Sequence, residues 1–219
     1  MLRHKGIEAR RVDLPPGSQQ VAMRIRGFRH GTVPGLKLDG RRVQGTLEIS
    51  RTLDEAQPEP PLFPADPERR AAVEEAERWG ESVYQPVPRR IFRWSVSHDG
   101  KLRNRMSRGI PGPVLLPVAK VYERFEGGGS AAVRRDLAAL PDHLDRVDEL
   151  IAAGTLDGNE LNAADFQIAP TTRVLLNFAQ LRPLLSGRPA ERHAMRVLPD
   201  FGGSLPVELP EDWLPDTLS

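Results

Sequence analysis

Residues 31–55, GTVPGLKLDGRRVQGTLEISRTLDE, constrain the fold of this chain more than any other stretch. Leu36 and Leu38 alternate with Lys37, Asp39-Gly40 supplies a hairpin turn, and Val43 begins the return strand. Thr46 stands where a helix N-cap is wanted, and Leu47, Ile49 and Leu53 then recur at roughly helical spacing. The pattern is a β-hairpin followed by a helix, entered through Thr32-Val33-Pro34. Proline cannot donate to a ladder, so Pro34 at the mouth of a strand marks a special turn. A cis Val33-Pro34 bond would face the Val33 N–H and C=O outward as a free edge, where an extended peptide could pair.

The chain divides at residues 57–66, a proline-rich linker expected to be extended. Asp66-Pro67-Glu68 then starts a helix, with Asp at the N-cap and Pro at the first helical position. Val73, Ala76, Trp79, Val83 and Tyr84 trace its apolar face, and Pro86 and Pro88 predict a kink before Ile91-Phe92. Further helices are expected at 113–126, interrupted near Pro117, and at 130–153, kinked at Pro141. Others are expected at 162–180 and 189–197, before an irregular tail at 199–219 whose Phe201, Leu205 and Trp213 should pack back onto the body. At 161–166, Asn162 at the N-cap and Asp165 three residues on form a capping box, with Leu161 and Phe166 placed for a hydrophobic staple.

The Val-Pro hairpin and the downstream capping box together resemble the glutathione transferase family. The fold this implies is α+β: a thioredoxin-like amino-terminal domain over 1–56, here incomplete, and an all-α helical bundle over 67–198. By the resemblance, Val33 and Pro34 would hold the cysteinyl backbone of glutathione. Gly45 and Thr46, at the helix start, would take the γ-glutamyl carboxylate through hydroxyl and amides. Where the family carries an acidic residue and a serine, this chain has Gly45-Thr46, so one contact is missing. Thr46 admits a second reading, as a plain helix cap. Residues 1–7 look like the end of the family's first helix, which leaves the first strand and the thiol-activating residue without counterparts. A strand at 8–13 would then have no partner, and the expectation is a misplaced start, or another segment or chain filling the gap.

The chain has 219 residues, 31 basic and 30 acidic side chains and a net charge of +1, so no global bias towards nucleic acid or an anionic membrane is expected. It has no cysteine, which removes disulfides, thiolate metal sites and cysteine catalysis within these residues. No apolar run approaches the roughly 18 residues of a membrane span. These features point to a soluble, cytoplasmic protein with no membrane partner. Five scattered histidines lack ligand spacing, so no metal is expected. Gly127–Gly129 lacks the Lys-Ser/Thr of a phosphate loop. Arg24, Arg26 and Arg29 read either as an anion contact or as a solvated helix face.

Tyr84, Arg93 and Trp94, beside the predicted kink, are the candidates for a substrate site. Charge and cation–π contact would bind a ligand there, while a plain reading has Arg93 and Trp94 snorkelling and packing. The resemblance implies glutathione as co-substrate, a small hydrophobic electrophile as second substrate, and a homodimer. Two other readings stand beside it. One is a non-catalytic binding or assembly module on the same scaffold. The other is an unrelated helical protein with an accidental hairpin.

Overall fold

The computed structural model describes residues 1–14, 18–106, 112–124 and 127–215. Residues 1–6 form one helical turn. Gly6 closes it at φ +66°, with the Ile7 N–H on the Leu2 carbonyl and the Gly6 N–H on the Arg3 carbonyl. That double closure is a Schellman motif, which only a residue tolerant of positive φ can complete. Lys5, buried, ties the turn to the rest by donating to Asp54 and to the Gln57 carbonyl. The strand expected at 8–13 is not formed: these residues take no ladder partner among those described.

After α1 (Gln19–Ile25), β1 (Gly35–Leu38) and β2 (Arg41–Gln44) pair antiparallel, Gly35 opposite Gln44 and Leu38 opposite Arg41. Asp39 and Gly40 both take positive φ between them, as a two-residue hairpin turn requires. The return strand thus begins two residues earlier than Val43. Val43 is its buried residue and meets Ile49 and Leu53 of α2 (Thr46–Ala56) in the core.

The helical part opens with α3 (Pro67–Trp79), capped by the Asp66 carboxylate on the Arg69 N–H. A π turn over Gly80–Tyr84 joins it to α4 (Pro86–His98). The predicted kink is resolved this way: Pro86 has no N–H for the Ser82 carbonyl, and the turn widens so that the Gln85 N–H reaches Gly80 instead. The extra residue rotates the helical register, leaving Val83 exposed and turning Tyr84 into the core. Gly80 lies against α9 (Ala163–Leu175), where a Cβ would come 2.9 Å from the Gln167 side chain.

Two short helices, α5 (Gly100–Met106) and α6 (Gly112–Glu123), follow α4, and α6 runs through Pro117 without interruption. The expected 130–153 helix is two helices, α7 (Ser130–Ala138) and α8 (Leu140–Ala152), with Pro141 in the first turn of the second. The Asn162–Asp165 capping box is formed in full at the start of α9, which is buried along most of its length and ends at Leu175. After α10 (Arg182–Leu185), α11 (Pro189–Val197) packs on α9, where the buried His193 meets Asp165 at 2.7 Å. The tail returns as expected: Leu205 bridges Phe178, Val207 and Leu209 are buried, and Trp213 packs on Trp94. Phe201 is the exception, 44% exposed.

Candidate functional site

The hairpin register brings the two candidate segments together. Because Gly35 pairs with Gln44, the residues just outside them, Pro34 and Gly45, also face each other, and the Gly45 N–H donates to the Pro34 carbonyl at 3.1 Å. The Val33–Pro34 peptide is cis. Val33 is 49% exposed, and among the described residues neither its N–H nor its C=O has a backbone partner. A pair of free, outward backbone groups beside a strand can take an extended peptide.

Glycines on either side let this bend sit close to α1. A Cβ at Gly31 would come 2.7 Å from the Gln20 backbone, and one at Gly35 would overlap the end of the Met23 side chain. Gln44 then fixes the loop. Its amide accepts from the His30 N–H at 2.9 Å and donates to the His30 and Thr32 carbonyls at 2.7 and 2.6 Å. One side chain at the end of β2 thus sets the path of the backbone leading into Val33.

The start of α2 differs from the sequence expectation. The N-cap is Gly45, at φ +91°, and Thr46 is the first helical residue; no side chain caps the helix. Thr46 therefore is not a plain cap, and its hydroxyl has no partner among the described residues. The Gly45 N–H, offered above as a ligand donor, is already committed to Pro34. The Thr46, Leu47 and Glu48 N–H groups remain, as the unpaired donors of any helix start, with the dipole favouring negative charge there. Beneath this turn, Ser50 and Arg51 both donate to Glu77 of α3, at 2.6 and 2.8 Å. Glu77 is fully buried, and burial raises its carboxyl above the ordinary 4.5, with Ser50 and Arg51 pulling it back. This joint locks the helix that begins at Thr46 onto the helical bundle.

The three substrate-side candidates do not form an open wall. Tyr84 is fully enclosed, stacked on Trp79 at 5.3 Å with its hydroxyl on Thr172 at 3.1 Å; burial drives its pKa up. It is a core residue. Trp94 is 7% exposed, donates to the Ser130 hydroxyl, stacks on His98 at 4.5 Å and lies under Trp213. The packing reading of Trp94 holds, since its indole is covered on both sides. Arg93 stays partly exposed, its guanidinium over the Tyr122 ring at 4.9 Å. Among the described residues no group of His, Cys, Asp or Glu could hold a metal ion.

Comparison with known proteins matches residues 1–61 to the family described as glutathione S-transferase, N-terminal domain. No curated protein sequence matches the chain. A solved glutathione S-transferase from Rhodospirillum rubrum F11 is similar at 21% identity, covering 97% of this chain and 89% of that one, with a TM-score of 0.63. A β-etherase from Sphingobium sp. strain SYK-6 is similar at 19% identity, covering 90% and 91%, with a TM-score of 0.61. A glutathione S-transferase from Legionella pneumophila aligns at 16% identity over 94% and 86%, TM-score 0.52. Residues 1–61 are thus similar to the glutathione S-transferase N-terminal domain, and the chain as a whole has the fold of those structures, thioredoxin-like hairpin domain and helical domain together.

Proposed function

We propose that this protein binds glutathione at the junction of the hairpin and α2. The observation that carries the reading is the register that sets Val33-Pro34 against Gly45-Thr46. The cysteinyl segment pairs with the free Val33 N–H and C=O. The γ-glutamyl carboxylate sits at the start of α2, on the Thr46 hydroxyl and the Thr46 and Leu47 amides, where the dipole favours an anion. Catalysis by this route conjugates glutathione to a small hydrophobic electrophile, with the thiolate as nucleophile. Arg93, beside Tyr122, is the substrate-side residue retained, and the active form is a cytoplasmic homodimer.

Calorimetric titration with glutathione tests the binding site. Thr46→Ala should weaken binding by roughly ten- to a hundredfold, the loss of one hydrogen bond to a charged group. Unchanged affinity in a folded variant would remove Thr46 from the site. The second reading is a binding or assembly module without transferase chemistry. It is favoured by Gly45, which offers neither a side chain nor a free N–H. Glutathione binding without turnover of any electrophile would support it.

A further inference from the structure

Helix α6 is amphipathic in the wrong sense for a helix on a protein surface. Among its described side chains Ala119 and Glu123 are buried, while Val114, Val118 and Val121 are each 63–64% exposed, with Tyr122 at their flank. Positions 114, 118 and 121 are four and three residues apart, so these valines form one outward stripe. Isolated exposed apolar residues are ordinary, but a continuous stripe on one helix marks a contact surface. Charge around it is as uneven as the apolarity. No Asp or Glu lies between Asp99 and Glu123, and the exposed cations Lys101, Arg105 and Lys120 lie on α5 and α6, which pack together.

The two bounding acids are both engaged in hydrogen bonds. Asp99 caps α5 by accepting from the Lys101 and Leu102 N–H groups, and the buried Glu123 takes the Ser97 hydroxyl. Lys120 approaches His98 and Glu123 and is still about half exposed. The face therefore offers apolar side chains and positive charge with no exposed acid in the segment between. Chain-wide neutrality hides this, because acids elsewhere balance it.

We infer that α5 and α6 form a docking surface for an anionic lipid bilayer, with the valine stripe entering the headgroup boundary and Lys101 and Arg105 pairing with lipid phosphates. An amphipathic helix lying in the interface needs an apolar face flanked by Lys or Arg, not the length to span. No helix among the described residues is long and apolar enough to cross a membrane, so the mode is association in the plane. The charge complements anionic headgroups, each exposed cation adding attraction near such a surface. A second copy seated two-fold on the same stripe would bring this basic, acid-free face against itself. The proposal does not depend on the glutathione reading, which rests on the hairpin–α2 junction; Tyr122, under Arg93, is shared between the stripe's flank and the substrate side.

The test is co-sedimentation of the full chain with vesicles of phosphatidylcholine alone and of phosphatidylcholine with 30% phosphatidylglycerol (~30%, enough to give a strong negative surface potential). The protein should pellet with the anionic vesicles, and added salt should release it. The double variant Lys101→Ala/Arg105→Ala should lower the partition coefficient by roughly 25-fold, about fivefold per cation. Val118→Asp should abolish pelleting while leaving thermal melting unchanged, since Val118 is exposed. If that variant melts early, Val121→Ser replaces it with the same expected loss. Failure to pellet, or equal pelleting with neutral vesicles, would overturn the proposal. So would a dimer by light scattering that Val118→Asp converts to monomer without vesicle binding, since a second copy would then cover the stripe.

Discussion

Glu77 is the residue whose replacement probes the joint beneath the candidate site most sharply. Its carboxylate is fully buried in α3 and accepts from the Ser50 hydroxyl and the Arg51 guanidinium of α2. Glu77→Ala removes both bonds. Hydrogen bonds to a charged group contribute about 1.5–3 kcal/mol each. Two features hold the loss near the low end: the Ser50 hydroxyl, with one proton to give, can turn to the Leu47 carbonyl that Arg51 already reaches, and the Arg51 side chain is 36% exposed, so water can solvate it. A destabilisation of about 2–3 kcal/mol follows, or about 5–10 °C in Tm for a chain of this size. Glu77→Gln keeps one oxygen for the Arg51 guanidinium, turns its NH2 to the Ser50 hydroxyl as acceptor, and removes the buried charge, so its effect should stay within about 1 kcal/mol at neutral pH.

The pH dependence gives the sign. Burial raises the folded-state pKa of Glu77 above 4.5, so the folded protein holds its proton more tightly than the unfolded chain does. That contribution is fully present below the unfolded value and is lost as pH rises through the folded value. Glu77→Gln cannot ionise, so it should gain on the wild type as pH rises from 4 towards neutrality (~7, where an ordinary glutamate is fully ionised). Urea unfolding of the three proteins across that range measures both effects. Equal stability of the Ala and Gln variants would refute the account of Glu77 as a hydrogen-bonded joint, and an unchanged pH slope would refute the role of burial.

Other expectations follow from the same geometry. Gln44→Ala should speed amide hydrogen exchange at residues 30–33 and weaken glutathione binding, with little change in Tm; unchanged exchange would show that another contact holds the loop. Asn162→Ala removes the cap on the Ala164 and Asp165 N–H groups and the bond to the Thr155 carbonyl, and should cost about 1–2 kcal/mol in urea unfolding. His143 lies edge-on to Trp79 and Tyr84, and burial lowers its pKa below 6.5, Asp136 and Asp142 opposing. A base depressed in this way costs stability as pH falls through its unfolded and then its folded value. His143→Gln should flatten the acid side of the stability profile below about pH 6.5, and an identical profile would rule this out.

What the sequence made legible was local. The Asp39-Gly40 turn and the Asn162–Asp165 box are each written within four residues, and both formed as read. α11 likewise formed over Pro189–Val197. The helix start at 45–46 misled because both residue types serve as caps; φ of +91° decides for glycine, and only the folded hairpin demands that angle. Tyr84 misled because a single π turn rotates everything after it, and nothing in the helical spacing signals where the extra residue goes. Gln44 and Glu77 were missed because their partners lie 12–14 and 26–27 residues away. Trp94 looked available until the tail laid Trp213 over it.

The central claim is that the hairpin–helix junction receives glutathione. The most direct measurement is an amide NMR titration of the full chain with glutathione. The account predicts saturable shifts concentrated at Val33, Thr46 and Leu47, with Gly45 shifting less because its N–H stays on Pro34. Shifts confined to other parts of the chain, or none at millimolar glutathione (about −4 kcal/mol of binding free energy), would contradict it.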